Sequence, residues 1–488
     1  MSTQVPFNPA DDGVSPIYPD PIAHPDLHAG QRAPVWGDET EAITAAFAWA
    51  QSRIVRASDP KATAPSTQAL TAAAGPTITE SGIGATQAMR VFTQVIEPAT
   101  RAQDDPMNLA YIPSAPTGAA VAFDVVTAAA TIFAGMWEAG AGAIWAENQT
   151  ISWLTDLLGW PADTAAGTFV SGGTSGNLAA LVAARAAAEH RLGRRPDGGW
   201  QLACSSAAHS SITSAARVMD VAVLPVPQDD NGRLTGAALR AASPDPDRVF
   251  AVVASAGTTN AGLIDDLAGI ADVCQELGTW MHVDGAYGGA ALASPQARPK
   301  FTGIERADSF IVDPHKWLFA GYDCCALVYR DTTMARAAHA QHASYLDAID
   351  REHPNPSDLA VQLSRRARGL PLWFSLATHG TAKYAEAIDI TIATAQQVAQ
   401  GIREIPYLHL IMEPDLTVLS FERVGWTDQE YRAWSNDLAK AGVMLCAPTS
   451  WRGRTALRLA FVNPATRSDK VIEVLRVTTA PQRYAPRQ

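Results

Sequence analysis

From about residue 104 onward, short apolar runs without polar alternation recur, each followed by an amphipathic or alanine-rich stretch. The runs at 167–170, 202–204, 221–226, 249–254, 280–283 and 309–312 read as strands, and 178–192, 210–217 and 267–277 read as helices. Strands that are apolar on both faces and separated by helices predict a mostly parallel α/β sheet covered on both sides.

Outside this region the pattern changes. Residues 1–36 are rich in Pro, Asp and His without periodicity, which predicts an extended arm of the kind that wraps a neighbouring subunit. A helical period runs over 39–55, and the Ala/Thr/Pro-rich stretch 61–75 reads as a loop. The apolar run 119–144 is broken by Asp124 and Glu138, so it reads as a buried helix, not a membrane span. Beyond 386, helices at 390–402 and 428–441 alternate with strands at 408–412, 417–421 and 457–461, the pattern of a small α+β domain. The expected division is an N-terminal arm and helical segment (1–100), a large domain (101–385) and a small one (386–488).

Composition narrows the partners. The net charge of −12 argues against nucleic acid and anionic membranes, which require basic patches. The cysteines at 204, 274, 324, 325 and 446 are odd in number and lack metal-ligand spacing. Together with an N-terminus lacking a basic and apolar leader, they predict a cytoplasmic protein without a metal.

The chemistry concentrates in two strings. His282-Val283-Asp284-Gly285-Ala286-Tyr287 ends an apolar strand in an acid, and Asp313-Pro314-His315-Lys316-Trp317 follows the next strand with one of the chain's six lysines. A lysine amine that condenses with an aldehyde, and a carboxylate that keeps a pyridine nitrogen protonated, are what a pyridoxal-phosphate enzyme requires. Ala286 is small enough to pack under the ring, and His315 is placed to touch the phosphate or shuttle a proton. The apolar neighbours of Lys316 predict a desolvated lysine that loses its proton readily.

Upstream, Gly172-Gly173-Thr174-Ser175-Gly176 joins a strand to a helix, either as a phosphate cradle or as an ordinary capping turn. His209 reads as a ring-stacking imidazole or as a helix-capping loop residue. Cys324-Cys325 reads as core, and Arg365-Arg366-Ala367-Arg368 as a solvated or dimer-facing surface at the start of a helix.

Six strings resemble the group II pyridoxal-phosphate decarboxylases, which act on amino acids. They are 171–178, Ala208-His209-Ser210-Ser211, Gly257-Thr258-Thr259, 282–287, 313–317 and 365–373, in the family's order. The resemblance, closest in kind to the aromatic L-amino acid decarboxylases, implies a fold-type-I homodimer with pyridoxal 5′-phosphate on Lys316. It implies Asp284 on the ring nitrogen, His209 stacked on the ring, Gly173 and Thr174 on the phosphate with His315 nearby, and Thr258 beside the ring. Tyr111 and Trp145 fall where relatives line the side-chain pocket, which favours an aromatic substrate. The implied reaction releases CO2 through a quinonoid and returns the amine.

This chain departs from the family pattern in three places. Asp313 stands where the family usually has asparagine, and Ala207 where the loop before His209 often carries glutamate. The loop between about 336 and 363 holds only Tyr345, which matches an earlier structural tyrosine, so the tyrosine that protonates the substrate carbon in many members is missing. His353 is the alternative proton donor. Oxidative decarboxylation to an aldehyde is the first rival reaction, and another fold-type-I activity such as transamination is the second.

Overall fold

The computed structural model describes residues 35, 37–56, 64–243, 245–341 and 355–481. The expected N-terminal arm, apart from Val35, and Tyr345 and His353 lie outside the described residues. Strands β1 (Ala166–Val170), β2 (Gln201–Ser205), β3 (Ala222–Val226), β4 (Val249–Ser255), β5 (Trp280–Asp284), β6 (Ser309–Val312) and β7 (Cys325–Tyr329) form one sheet in the order β1-β7-β6-β5-β4-β2-β3. Strands β3, β2, β4, β5 and β6 are parallel, and β7 runs antiparallel to both β6 and β1. The carboxyl ends of β1, β2, β4, β5 and β6 therefore share one edge, where open α/β sheets bind ligands.

All residues of β4 and β7 are buried, which explains runs of Val, Ala and Phe with no polar alternation. Helix α6 (Gly173–Leu192) lies across one face with Ala179, Ala180, Ala183 and Ala184 fully buried. These small side chains let it pack closely on β4, β5 and β6. The helix Leu267–Leu277 covers the other face with Leu267, Ile270 and Val273.

Before the sheet come α1 (Thr40–Ile54), α2 (Thr67–Ala74), α3 (Ala85–Val91), α4 (Gly118–Ala129) and α5 (Trp137–Leu158). Helix α2 corrects the loop expected at 61–75: Ser66 caps it by accepting the Ala69 N–H at 3.2 Å. The single helix expected at 119–144 is two. The chain breaks where Thr131 takes a φ of 53° and where Gly135 lies against the Leu363 carbonyl too closely for any side chain.

The C-terminal sheet, β10-β11-β9-β8, is antiparallel and is built from β8 (Leu408–Leu410), β9 (Val418–Arg423), β10 (Ala447–Trp451) and β11 (Arg454–Ala460). Its core centres on Trp434, Phe421 and Phe461. The helix Thr381–Arg403 runs unbroken through the expected boundary at 385. Its Tyr384 and Ile388 belong to the large core, and Ala395 and Val398 belong to the small one.

Two buried polar features hold the ligand edge together. The first corrects the expected solvated surface at 365–368. The Arg365 guanidinium is buried and forms a two-pronged pair with Glu147 of α5 at 3.1 and 2.5 Å. The same carboxylate accepts the Gly369 N–H at 2.8 Å, just before the helix Leu370–His379 begins. Its neighbours sit differently: Arg366 pairs with Asp124, and Arg368 with Asp323 at 3.1 Å.

The second feature is a line of hydrogen bonds from β5 and β6 into α6. The Trp280 indole N–H donates to Ser309 Oγ at 2.8 Å, and Ser309 Oγ lies 2.8 Å from His282 Nδ1. His282 Nε2 donates to Asn177 Oδ1 at 2.8 Å. The Asn177 amide nitrogen then donates to Asp284 Oδ2 at 3.0 Å and to Ser211 Oγ at 2.9 Å. Because Asn177 Oδ1 only accepts, Nε2 carries the His282 proton, and Nδ1 accepts from Ser309. Burial pulls His282 down to about 4, so it is neutral at pH 7.

Glu147→Gln is expected to lower stability by about 3–5 kcal/mol, since it leaves a buried guanidinium without its counter-charge. Replacing both Glu147 and Arg365 by Met should recover most of that loss, as read from denaturant unfolding. His282 takes up a proton near pH 4 when folded and near 6.5 when unfolded. Acidification from pH 7 to 5 should thus cost the native protein stability on the order of 2 kcal/mol from this group. His282→Gln, which keeps a donor but does not titrate, should lose correspondingly less over the same interval. Equal losses in the two proteins would contradict the assignment.

Candidate functional site

Each expected cofactor residue reaches the ligand edge by a short local device. Strand β1 delivers Gly172 and Gly173 to the start of α6, so the free backbone N–H groups and the positive end of a 20-residue helix face the edge. Strand β2 leads to α7 (Ser210–Val218), which His209 caps by accepting the Ser211 N–H at Nδ1, 3.2 Å away. His209 is thus a helix cap and a cavity residue at once. Strand β5 ends in Asp284, level with Ser255 on β4 and Ile311 on β6. One short turn, Pro314–Trp317, follows β6 and carries Lys316; the lysine stands on this turn and not on the strand itself.

These pieces surround one cavity of about 470 Å³. Gly173 and Thr174 line it from the helix end, Asp284 from the end of β5, Ala286 from the loop that follows, and His315 and Lys316 from the turn. His209, Thr258 and Tyr111 line it as well. Trp145, on α5, is half exposed and stands outside this lining. Of the two residues expected to line a side-chain pocket, the single chain thus brings only Tyr111 to the cavity.

Asp284 is buried, and its carboxylate is fixed from two sides. Oδ1 accepts the Ala286 N–H at 3.1 Å, and Oδ2 accepts from Asn177. Thr258 is held by a hydrogen bond from the Leu263 N–H to its Oγ1 at 3.1 Å. The preceding Gly257 has a φ of 112°, and a Cβ there would come within 2.9 Å of the Tyr287 ring. Only glycine allows the loop to pass so close to Tyr287.

The lysine environment differs from the expected one. Lys316 Nζ lies 2.8 Å from Asp313 Oδ2. Burial pulls the amine down, but the charge and hydrogen bond of Asp313 outweigh it, with Asp284 behind, and the net shift is upward. The resting lysine is a paired ammonium and not a desolvated neutral amine. His315 is lowered by burial, and its Nδ1 donates to the Cys324 carbonyl at 2.7 Å. Cys324 and Cys325 are fully buried beside the turn.

The wall also holds residues outside the expected set, and one of them is an arginine. Arg458, on β11 of the small domain, lines the cavity while it is 6% exposed. Its Nε donates to the Thr259 carbonyl at 2.7 Å, but Nη2 is buried without a hydrogen-bond partner. Burial pulls this guanidinium down to about 10. The sequence signal was a lone arginine inside the apolar strand Leu457-Arg458-Leu459-Ala460-Phe461.

The donor set fits pyridoxal phosphate. A helix N-terminus with glycine at its first position suits the phosphate, a fixed carboxylate suits a pyridinium, an amine suits the aldehyde, and an arginine with an unused donor suits a second anion.

Comparison with known proteins agrees. The family model "Pyridoxal-dependent decarboxylase conserved domain" matches residues 77–424. The aromatic-L-amino-acid decarboxylase of Bacillus atrophaeus is 30% identical over 390 residues, covering 76% of this chain and 80% of that protein. The L-2,4-diaminobutyrate decarboxylase of Rhizobium meliloti (strain 1021) is 32% identical over 371 residues, covering 73% and 74%. The crystal structure of Oryza sativa TDC with PLP and tryptamine shares the fold, with a TM-score of 0.82 at 24% identity over 93% of this chain and 99% of that one. The chain belongs to the pyridoxal-dependent decarboxylase family.

Proposed function

We propose that this chain removes the carboxyl group of an L-amino acid, with an aromatic side chain favoured, and releases CO2 and the amine. One observation carries the reading: Lys316, Asp284 and the N-terminus of α6 line a single cavity at the carboxyl edge of a parallel sheet. Pyridoxal phosphate supplies an aldehyde that condenses with amines and a ring that accepts the electron pair freed when CO2 leaves.

The chain's own residues do the rest. Lys316 offers the amine that holds the cofactor and is displaced by the substrate amine. Asp284, braced by Asn177 and Ala286, keeps a proton on the ring nitrogen. Gly173 and Thr174 hold the phosphate with backbone and hydroxyl donors, His209 covers the ring, and Thr258 borders it. The spare Arg458 donor receives the substrate carboxylate and fixes which bond to the α-carbon breaks. Tyr111, exposed at the cavity rim, favours an aromatic side chain.

We also place the chain in a homodimer. Helices α1 and α2 bury none of their residues within the single chain, and Ile43, Phe47, Val126 and Trp145 present exposed apolar surface. All five cysteines are unpaired and buried, which suits a reducing cytoplasm. No helix among the described residues is long and apolar enough to cross a membrane.

A panel of L-amino acids assayed for CO2, amine and hydrogen peroxide tests the reaction. Amine equal to CO2, without peroxide, is expected, with aromatic substrates turned over fastest. Peroxide and ammonia in step with CO2 would replace it by the aldehyde-forming reaction, which the missing loop tyrosine motivates. Turnover without CO2 would exclude both. Lys316→Ala should lower kcat by on the order of 1,000-fold or more. Arg458→Met should raise KM for every amino acid and cost about 2–4 kcal/mol in kcat/KM, and an unchanged value would remove Arg458 from the substrate site.

A further inference from the structure

Asp313 is the departure that the reaction above leaves unexplained. Its side chain is 3% exposed and lines the catalytic cavity. Oδ2 lies 2.8 Å from Lys316 Nζ and 3.7 Å from His315 Nε2, while Oδ1 is buried without a hydrogen-bond partner. A Cβ added to Gly173 would stand 3.3 Å from the same Oδ2, so this carboxylate faces the turn assigned to the phosphate.

The groups around it sort by charge. His315 is kept neutral by burial. Burial pushes the Cys324 and Cys325 thiols and the Tyr322 phenol upward, so none of the three is ionised at neutral pH. Asp284, at the end of β5, is a second acid. Lys316 is the cation that balances Asp313.

That balance cannot survive loading of the cofactor unchanged. A neutral amine is needed to attack an aldehyde. Once Nζ is bonded to carbon, the carboxylate would be left buried, with one oxygen unpaired, beside a phosphate.

We infer that Asp313 is the proton acceptor for Lys316, converting the ion pair into a neutral amine and a neutral carboxylic acid as the cofactor is captured. The ammonium proton crosses the 2.8 Å contact to Oδ2. The freed Nζ lone pair forms a bond to the aldehyde carbon, the carbonyl oxygen leaves as water, and a carbon–nitrogen double bond remains. The protonated Asp313 becomes a hydrogen-bond donor toward the phosphate. An asparagine would also donate there, but it has no place for the lysine proton. The inference rests on Lys316 as the cofactor lysine.

The consequence is a pH signature. While the Asp313–Lys316 pair keeps its single proton between the two groups, the reactive fraction of amine does not vary with pH. Without the acid, the amine must lose its proton to solvent, and capture speeds up about tenfold per pH unit until the amine is neutral.

The test mixes cofactor-free, full-length enzyme with pyridoxal phosphate in a stopped-flow instrument and follows the imine absorbance between pH 6 and 8. The ratio of native to Asp313→Asn rates cancels the cofactor's own ionisations. That ratio should fall about tenfold per pH unit. A ratio independent of pH would overturn the inference. If circular dichroism shows the Asn variant unfolded, Asp313→Ser replaces it. Whatever the variants do, a native capture rate that itself climbs about tenfold per unit would overturn it too. An imine band that persists in Lys316→Ala would sink the lysine assignment itself. A band lost in Lys316→Ala but parallel pH profiles would sink Asp313 alone.

Discussion

The site depends on one buried amide. Asn177 is 1% exposed and stands where the first turn of α6 crosses the end of β5. It accepts from His282 and donates to Asp284 and Ser211. The N-terminal end of α6, the acid that ends β5 and the first turn of α7 are therefore held by a single side chain. The polarity of this line is fixed at one end by the Trp280 N–H, which can only donate, and at the other by the Asp284 carboxylate, which accepts. Every proton in between then has one position, and His282 has one tautomer. In a low-dielectric interior, such a satisfied line is rigid and intolerant of a missing member.

Against this rigid side stands a charged one. The turn after β6 and strand β11 bring Lys316 and Arg458 to the cavity, and Asp313 and Asp284 face them. Isolated charges at this burial would cost many kcal/mol, so each needs a partner. Asp284 has two donors, and Lys316 has Asp313. Arg458 has the Thr259 carbonyl and one donor to spare, and Asp313 has one oxygen to spare. The two unsatisfied atoms are where a bound molecule has most to gain.

The strands were legible because burial on both faces writes itself as an unbroken apolar run, as in Val249–Ser255. Lys316 and Asp284 were legible as a pair, because an acid and a lysine that follow successive apolar strands come to the same edge of a parallel sheet. What escaped was decided by tertiary partners. Strand β7, Cys325–Tyr329, follows the lysine turn after Gly321-Tyr322-Asp323, and its antiparallel place between β6 and β1 is set by tertiary pairing. Arg365 looked solvated among three arginines because its partner, Glu147, is 218 residues away in sequence. Asn177 looked like one more polar residue after a glycine turn, although Asn on the buried face of an alanine-rich helix is itself a signal. Trp145 shows the converse limit: an aromatic residue expected in a pocket stands half exposed on α5, outside the cavity.

Lys316 shows how far a local reading can mislead about charge. The apolar residues after it predicted a lysine stripped of water and ready to lose its proton. Burial does act in that direction, but an acid three positions earlier in the same turn acts more strongly in the other. Asp313 stands at the cap of the turn and Lys316 is its third residue, and the Asp313 carboxylate reaches Nζ across that first turn at 2.8 Å. A lysine paired in this way is not thereby a poor nucleophile. The group that holds its proton is also the group nearest to receive it, and burial, which penalises the charged form of each member, works against the contact that keeps them paired. The same desolvation that the apolar run predicted therefore reappears, acting on the pair and not on the lysine alone.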